Sequence, residues 1–306
     1  MSQTQTEAKD QAESLVVPIV QKTRGSKVES VTRLTGGVVN QVFLIKCRTE
    51  NLVLRMNADC LPIYVKEEWA MAQAKANAVS VPAVFAVGEI DSVSYMLMEH
   101  EPGVMLSTFT GNRKKAFFEL GRQAKLTNSI KVQGFGFHLD WSGRSPVFTK
   151  SWSEVVKEEQ EMLFSTNALA NMGALSKGQV IAAEKFLAAR YDWQPEPRLC
   201  HGDLNANNVL VHKDEIVILD WTQTKGGAAP FFDLAGLSMK DPGEFEALCL
   251  GYGLTASQIA EYRKDFERVC LTDVLRAAVW AHQVKHPQIE KFVRDVQESY
   301  DKILAR

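Results

Sequence analysis

Three polar side chains, Asp203, Asn208 and Asp220, stand at the open end of a predicted β-hairpin. Two apolar runs, residues 209–211 and 216–219, are rich in β-branched and aliphatic side chains and flank a short polar turn, which is typical of two antiparallel strands. Asp203 and Asn208 precede the first strand, and Asp220 follows the second. Because a hairpin brings its two ends together, we expect the three side chains to converge, although Asp220 lies 17 residues after Asp203.

This set of side chains suits phosphoryl transfer. Mg²⁺ prefers hard oxygen ligands and keeps several waters, so one carboxylate and one amide oxygen form a good site together with nucleotide phosphates. A second carboxylate that binds no metal can accept a proton from an attacking hydroxyl group. Phosphoryl transfer needs little beyond positioning and neutralisation of charge, so the pattern predicts a nucleotide-dependent phosphotransferase. The alternative interpretation is a β-hairpin with incidental acidic residues.

The spacing of three motifs resembles that of the aminoglycoside phosphotransferase/choline kinase-like family. Residues 201–208 read H-G-D-x-x-x-x-N, residues 218–221 read I-L-D-W, and residues 233–235 read D-L-A. That family is a distant relative of the protein kinases, whose loop reads H-R-D-x-x-x-x-N and whose metal motif is D-F-G. The resemblance implies an α+β, two-lobed protein-kinase-like fold, with a small antiparallel β-sheet in the N-terminal lobe and a mostly helical C-terminal lobe.

The same resemblance implies a role for each motif residue around the hairpin. Asp203 corresponds to the catalytic base, and Asn208 and Asp220 correspond to the Mg²⁺ ligands. His201 corresponds to a structural prop of the catalytic loop, and Asp233 braces that loop from the start of the next helix. Mg²⁺ and ATP are the expected cofactor and phosphoryl donor, and GTP is a possible donor.

A glycine pair, Gly36 and Gly37, separates the first two predicted strands, residues 28–34 and 42–47. Glycines at such a turn let backbone N–H groups approach an anion closely. Gly36, Gly37 and Asn40 fit the pattern G-G-x-x-N, and the family resemblance implies that this turn covers the nucleotide phosphates. Without that context, a plain hairpin turn is the alternative.

The third predicted strand, residues 52–56, carries Arg55 where protein kinases have the lysine that holds the α- and β-phosphates. Arginine keeps the positive charge and adds a planar fork that suits phosphate, but it is longer than lysine and the two are not interchangeable. In the predicted helix 63–77, Glu67 is the candidate ion-pair partner of Arg55, and the adjacent Glu68 stays open as the alternative. An exposed arginine on a strand is the structural alternative for Arg55.

Residues Met98, Glu99 and His100 end the β pattern immediately before a Pro-Gly turn at 102–103. The resemblance implies that this segment is the hinge between the lobes and that its backbone hydrogen-bonds the nucleotide base. Side chains at such a hinge carry little information, because backbone groups make the contacts.

The composition of the 306-residue chain is that of an ordinary globular protein, with 45% hydrophobic and 24% charged residues. A net charge of −2 gives no electrostatic basis for binding nucleic acid or an anionic membrane. Five cysteines without C-x-x-C spacing indicate reduced thiols rather than disulfides or a zinc site, and no secretory signal is visible. These observations predict a cytoplasmic protein, and they leave open whether it is a monomer or a homodimer.

The predicted domain organisation has three parts. Residues 1–14 are polar and are expected to form a disordered tail. Residues 15–98 form the N-terminal nucleotide-binding lobe, and residues 99–306 form the C-terminal catalytic and substrate-binding lobe. Within the second lobe, residues 130–150 contain glycines and aromatic residues without periodicity, which predicts a loop.

The expected acceptor is a small hydroxylated molecule. Only 12 residues separate Asp220 from Asp233, which leaves little room for the activation segment of a protein kinase, and there is no A-P-E motif. From Lys225 to Arg306 there are 12 acidic residues against 11 basic ones, a balance that does not favour a polycationic aminoglycoside. A metabolic sugar or amino-alcohol kinase and an antibiotic kinase share the motifs. Two further hypotheses stay open, a catalytically inactive nucleotide-binding regulator and a protein kinase.

Overall fold

The structure is a computed structural model that describes residues 3–34, 41–213, 215–237 and 241–305. Contacts along the chain divide it into two compact units. Met1–Met105 and Asn208–Thr222 form the first unit, and Leu106–Asn207 and Gln223–Arg306 form the second. The predicted hairpin is therefore grouped with the first unit, and the lobe boundaries expected from the sequence stay a prediction. Among the described residues, no helix is long and apolar enough to cross a membrane.

The helices and strands follow one another in this order. The first half of the chain contains α1 Gln3–Arg24, β1 Val28–Leu34, β2 Gln41–Cys47, β3 Asn51–Ala58, α2 Leu61–Ala76, β4 Val84–Ile90, β5 Val93–Glu99, β6 Val104–Met105, α3 Arg113–Ser129, β7 Phe135–Asp140 and β8 Val147–Lys150. The second half contains α4 Trp152–Phe164, α5 Ala168–Asn171, α6 Lys177–Ala188, β9 Pro197–Cys200, β10 Val209–His212, β11 Glu215–Ile218, β12 Lys225–Ala228, α7 Phe231–Leu234, α8 Pro242–Tyr252, α9 Ala256–Glu261, α10 Arg263–Gln283 and α11 Ile289–Leu304.

The first unit is built on a five-stranded antiparallel sheet with the strand order β1-β2-β3-β5-β4. Alternate residues of β2 and β3, such as Phe43, Ile45 and Leu54, are fully buried, because successive side chains of a strand point to opposite faces. They form a core with apolar residues of α1, including Val16 and Val20. This core fixes β3, the strand that carries Arg55.

Helix α1 begins earlier than the sequence suggested. It spans Gln3–Arg24 and so includes most of the segment 1–14, for which the sequence predicted a disordered tail. Glutamine, glutamate, alanine and lysine in this segment have good helix propensity, and no glycine or proline interrupts them before Pro18.

The second unit is mostly helical around an apolar core contributed by α4, α5, α6, α10 and α11. Helices α3 and α8 approach so closely that a Cβ atom on Gly121 would lie 2.0 Å from the carbonyl oxygen of Leu248. Only glycine leaves room for this backbone contact. The close packing fixes α3, whose C-terminal turn carries a buried asparagine next to the catalytic loop.

The prediction of a loop at residues 130–150 was wrong. This segment contains the antiparallel pair β7 and β8, which belong to a four-stranded sheet with the order β8-β7-β12-β9. Strand β12 is distant in the sequence, so the partner that stabilises β7 leaves no local signal. Gly134 and Gly136 have positive φ angles of 72° and 90°, which interrupts the alternation that identifies a strand.

Candidate active site

The predicted hairpin is confirmed as the antiparallel pair β10–β11, in which Val209 lies opposite Ile218. At its open end, the backbone N–H of Leu219 donates to the carbonyl oxygen of Asn208 at 2.8 Å. Asn208 and Asp220 are therefore brought to the same end of the hairpin, within the first unit, as the strand pattern predicted. Asp203 belongs to the second unit, so its convergence with them stays a prediction.

Asp220 adopts an unusual backbone conformation, with a φ of 58°. A left-handed conformation costs a residue with a side chain about 1–2 kcal/mol, and such outliers cluster at functional sites. The Oδ1 atom of Asp220 accepts a hydrogen bond from the Thr222 hydroxyl at 2.7 Å and lies 3.5 Å from Nη2 of Arg55. With 44% of its side chain exposed, this carboxylate remains accessible to a ligand.

Arg55 and Glu67 form a buried ion pair, with 2.5 Å between Nη1 and Oε1. The backbone N–H of Trp221 also donates to Oε1 of Glu67 at 3.0 Å. Arg55 is 8% exposed and Glu67 is fully buried, whereas Glu68 is only partly buried. Of the two candidate partners, Glu67 is therefore the one that meets Arg55.

Burial alone would lower the pKa of Arg55, but the nearby carboxylates of Glu67 and Asp220 raise that pKa above its usual range. Arg55 consequently stays charged. Its guanidinium group links α2 to the residue that follows the hairpin, and its contact with Asp220 is long enough to be replaced by a ligand oxygen.

In the second unit, the catalytic loop starts where β9 ends at Cys200. Gly202 has a φ of 83°, and a Cβ atom there would lie 2.1 Å from the carbonyl oxygen of Gln223 and 2.5 Å from Cε of Lys225. The glycine of the H-G-D motif is therefore required both by backbone conformation and by the segment packed against it. Lys225 lies beside the residue that precedes Asp203.

The carboxylate of Asp233 fixes the backbone of this loop by hydrogen bonds. Its two oxygens accept the backbone N–H groups of His201 at 3.1 Å and Gly202 at 2.9 Å. A third donor is the Asn128 side chain, whose Nδ2 lies 2.7 Å from Asp233 and 3.0 Å from the carbonyl oxygen of Leu199. Asp233 is 1% exposed and Asn128 is 4% exposed, so this is an interior network.

Asp203 is exposed at the surface of the second unit. Its Oδ1 accepts a hydrogen bond from Nδ2 of Asn205 at 2.9 Å, and its backbone N–H donates to Nδ1 of His201 at 3.3 Å. His201 is itself 1% exposed, which fits a structural position rather than a reacting one. The arrangement offers an oriented, accessible carboxylate on a loop whose base is fixed.

The remaining predicted nucleotide residues fall into two groups. Gly36, Gly37 and Asn40 lie outside the described residues. Met98 is buried in β5, while the N–H groups of Glu99 and His100 donate to the carbonyl oxygens of Ala83 at 2.8 Å and Asn51 at 3.2 Å. These two N–H groups are thus committed within the first unit, and nucleotide binding by other backbone groups of this segment stays a prediction.

The oxygen donors at the open end of the hairpin are of the kind that a magnesium ion prefers. Asn208 and Asp220 supply one amide oxygen and one carboxylate, which are hard ligands of the kind that Mg²⁺ prefers. Among the described residues, no group of three or more His, Cys, Asp or Glu side chains is arranged to hold a metal ion. An ion at this place would therefore depend on phosphate oxygens to complete its coordination.

Sequence reasoning missed Asn128 and Asn205. Asn128 lies 105 residues before its partner Asp233, and nothing in the local pattern of α3 marks it. Asn205 follows Asp203 by two positions in the motif, where an asparagine is a common turn residue, and that spacing was the only signal.

A family model described as fructosamine kinase matches residues 13–238 of the chain. A probable ketoamine kinase from Klebsiella aerogenes is 26% identical over 208 residues, which cover 65% of this chain and 70% of that protein. The match to the family model includes the catalytic loop, the hairpin and Asp233 within its range.

Solved structures of kinases share the fold. The aminoglycoside phosphotransferase APH(4)-Ia is similar with a TM-score of 0.76 at 17% identity, covering 96% of this chain and 98% of that chain. A putative fructosamine-3-kinase from Haemophilus somnus is similar with a TM-score of 0.68 at 16% identity, covering 94% and 96%. A second one, from Thermobifida fusca, has a TM-score of 0.66 at 19% identity, covering 94% and 98%. These similarities confirm the predicted α+β, protein-kinase-like fold.

Proposed function

The chain belongs to the fructosamine kinase family, and from that premise we propose that it phosphorylates a hydroxyl group of a ketoamine, an amine that carries a rearranged sugar. Family membership makes it an ATP-dependent phosphotransferase acting on a small-molecule hydroxyl group, as the sequence predicted. The single observation that carries the ketoamine proposal is the match of the fructosamine kinase model across residues 13–238.

Asp203 is the proposed catalytic base. As the acceptor oxygen forms its bond to the γ-phosphorus, the bond between that phosphorus and the β–γ bridging oxygen breaks and ADP leaves. The proton of the acceptor hydroxyl passes to the Asp203 carboxylate. Support comes from the exposure of Asp203 and from the Asn205 side chain, which fixes one of its oxygens.

Arg55 is the proposed phosphate ligand of the first unit. Its guanidinium group keeps one strong contact with Glu67 and one longer contact with Asp220, so it retains donors for an incoming anion. Asn208 and Asp220 would hold Mg²⁺, which when bound neutralises charge on the phosphates. The donor types at the end of the hairpin support this assignment.

The proposed acceptor pocket lies within the second unit. A cavity of about 430 Å³ is lined by residues of β7, α4, β12 and α10, among them Phe137, Glu159, Lys225 and Arg276. It adjoins the catalytic loop, because Lys225 packs against Gly202, the neighbour of Asp203. This volume lies in the range of small-molecule sites.

Aminoglycoside phosphorylation is the second candidate function, favoured only by the similarity of fold. The charges of the cavity oppose it, since Lys150, Lys225 and Arg276 line the cavity together with two acids, Glu158 and Glu159. A polycationic acceptor would meet net repulsion there. The hypotheses of a protein kinase and of an inactive regulator find no support in the family match.

The test is ADP release by the full chain with ATP and Mg²⁺ across a panel of acceptors. The panel contains ketoamines, aminoglycosides, choline, ethanolamine and simple sugars. We expect ketoamines to stimulate ADP release more than any other acceptor class in the panel. Stimulation by a different class alone would contradict the ketoamine assignment while leaving phosphotransfer intact. Comparison of ATP with GTP in the same assay addresses the donor preference, which stays a prediction, as do the oligomeric state and the cytoplasmic location.

A further inference from the structure

The floor of the acceptor pocket is a cluster of charged side chains. A smaller cavity of about 10 Å³ adjoins the main one and shares Glu159, Lys225 and Arg276 with it, and adds Arg190 and Asp273. A space of this size admits about one water molecule. All these residues belong to the second unit, and none of them has a role in the phosphoryl transfer proposed above.

Glu159 is already neutralised by protein groups. Its side chain is 13% exposed, and its carboxylate lies 2.7 Å from Nη1 of Arg190 and 3.6 Å from Nη1 of Arg276. Arg190 is 1% exposed, and its Nη1 also donates to the Thr272 hydroxyl at 3.0 Å. Glu159 therefore serves to hold the two arginines and is not available to attract a cation.

Positive charge is left over at the mouth of this cluster. No salt bridge joins the Lys225 ammonium group to a carboxylate of the described residues, but its charge opposes the rise that burial causes in the pKa of Asp273. The ammonium group lies 5.3 Å from the centre of the Phe232 ring. Arg276 makes only long contacts, at 3.6 Å to Glu159 and 3.9 Å to Asp273. The buried Nε and Nη2 atoms of Arg190 have no hydrogen-bond partner.

The formal charges around the two cavities favour an anion of one unit. The two cavities contain four cationic side chains, Lys150, Lys225, Arg276 and Arg190, against the three carboxylates of Glu158, Glu159 and Asp273. One positive charge remains, and it lies on the side of Lys225 and Arg276, because Lys150 pairs with Glu158. A planar carboxylate matches the guanidinium fork of Arg276. A dianion would be repelled by the neighbouring acids.

We propose that Lys225 and Arg276 form a carboxylate-binding subsite of the acceptor pocket, so that a ketoamine with a free carboxylate beside the amine is preferred to the same ketoamine with a neutral group there. This inference rests on the proposed ketoamine kinase function. Lys225 lies against Gly202, so a carboxylate held there would be anchored close to the catalytic loop, with the sugar hydroxyl group free to reach Asp203. Lys225 and Arg276 then determine specificity by binding the part of the acceptor that does not react.

The experiment compares two acceptors that differ in one charge. The fructose ketoamine of glycine carries a carboxylate, and that of glycinamide carries a neutral group of nearly the same shape. The quantity measured is the ratio of kcat/KM for the two acceptors, obtained from ADP release by the full chain. Variants are Lys225→Met and Arg276→Met. The control is Lys157→Met, an exposed lysine on α4 that does not line the cavity and forms an ion pair with Glu161 at 3.8 Å.

We expect the wild-type protein and the Lys157→Met control to prefer the glycine ketoamine by about ten-fold or more, the value of one charge-assisted hydrogen bond. In Lys225→Met and Arg276→Met, the preference should collapse through a higher KM for the glycine ketoamine. Because two independent variants are used, the misfolding of one does not decide the result. Thermal unfolding shows whether each variant is folded.

Three results would overturn the subsite. The first is equal use of the two acceptors by the wild-type protein, and the second is a preference for the glycine ketoamine that survives both substitutions. The third is an equal fall of kcat with both acceptors in Lys225→Met, which would assign Lys225 to the transferred phosphoryl group. A third acceptor, the ketoamine of aminomethylphosphonate, would reject the single-charge argument if it is preferred to the glycine compound. If no ketoamine is phosphorylated while a different acceptor class is, the proposed function itself fails, and that result is distinct from the three above.

Discussion

Two buried carboxylates, one in each unit, support residues of the predicted site, and they are satisfied in different ways. Glu67, in the first unit, faces the charged guanidinium of Arg55 and one backbone N–H, and its Oε2 atom has no hydrogen-bond partner. Asp233, in the second unit, accepts two backbone N–H groups and the Asn128 amide. The first is an ion pair, and the second is a network of neutral donors.

This difference indicates different tasks. An ion pair with an incomplete set of hydrogen bonds can exchange a contact when a charged ligand arrives, and Arg55 has its longer contact, to Asp220, at the face where phosphates are expected. A carboxylate saturated by fixed N–H donors holds the backbone in one conformation and gains nothing from moving. We infer that the contacts of Arg55 change when the nucleotide binds, whereas Asp233 keeps the backbone of the catalytic loop in one conformation.

The largest effect is expected from a change that touches neither support. Asp203→Asn should leave nucleotide binding nearly intact and lower kcat by about 10²–10⁴-fold, the range typical of a general base. Turnover and calorimetric nucleotide titration measure the two quantities. The matched control is Asp192→Asn, at an exposed acid of the same unit. Full activity in Asp203→Asn would refute the base assignment.

The second prediction separates the role of Asp220 from that of the Arg55–Glu67 ion pair. Asp220→Ala should abolish Mg²⁺-dependent nucleotide binding, because the carboxylate at the end of the hairpin is lost. Arg55 keeps its partner Glu67 in this variant, so the protein should remain folded. Titration of Mg²⁺ in the presence of nucleotide, monitored by binding, checks the prediction. An unchanged Mg²⁺ titration would reject the role of Asp220 as a metal ligand.

The third prediction breaks the ion pair itself. Arg55→Met leaves Glu67 buried without a counter-charge and should lower the free energy of unfolding by about 3–5 kcal/mol. Adding Glu67→Met should restore most of the stability without restoring nucleotide binding, because two apolar side chains can replace a buried pair. Chemical denaturation measures both variants, with Glu68→Gln as the partly exposed neighbour expected to change stability by less than about 0.5 kcal/mol. Equal destabilisation by the single and double variants would show that packing, and not charge, is the cause.

The smallest effect tests the network around Asp233, in which the buried Oδ1 atom of Asn128 has no hydrogen-bond partner. Asn128→Ala removes one of three donors to Asp233 and should lower the free energy of unfolding by about 1–3 kcal/mol, with a reduced kcat because the loop base loosens. Asn167→Ala, at an exposed asparagine that makes no cap hydrogen bond, is the control. If Asn128→Ala matched the loss of stability of Arg55→Met, the contrast between the two carboxylates would be wrong.

Local sequence patterns were sufficient to predict those elements that depend on residues close together in the chain. The β10–β11 hairpin, the place of Asp220 after it and the strands around Arg55 follow from alternation, turn residues and motif spacing. The choice of Glu67 over Glu68 required knowledge of which face of α2 is buried, and that depends on the sheet beneath it.

Features that depend on distant partners were not predictable from one sequence. Strand β7 was predicted as loop because its neighbour β12 lies about 90 residues away and because glycines interrupt its pattern. Asn128 joins the catalytic loop only through the packing of α3 against α8 and β9. The pocket cations Lys225 and Arg276 are 51 positions apart, and only the folded chain brings them together. Tertiary contact therefore decides the fine composition of the site.

The most direct test of the account is to identify the product. Full-length protein, ATP, Mg²⁺ and a fructose ketoamine are followed by ³¹P NMR. The account predicts a new phosphomonoester on the sugar that grows in step with ADP and is nearly absent with Asp203→Asn. ADP accompanied only by inorganic phosphate or by phosphorylated protein would contradict transfer to the ketoamine hydroxyl group.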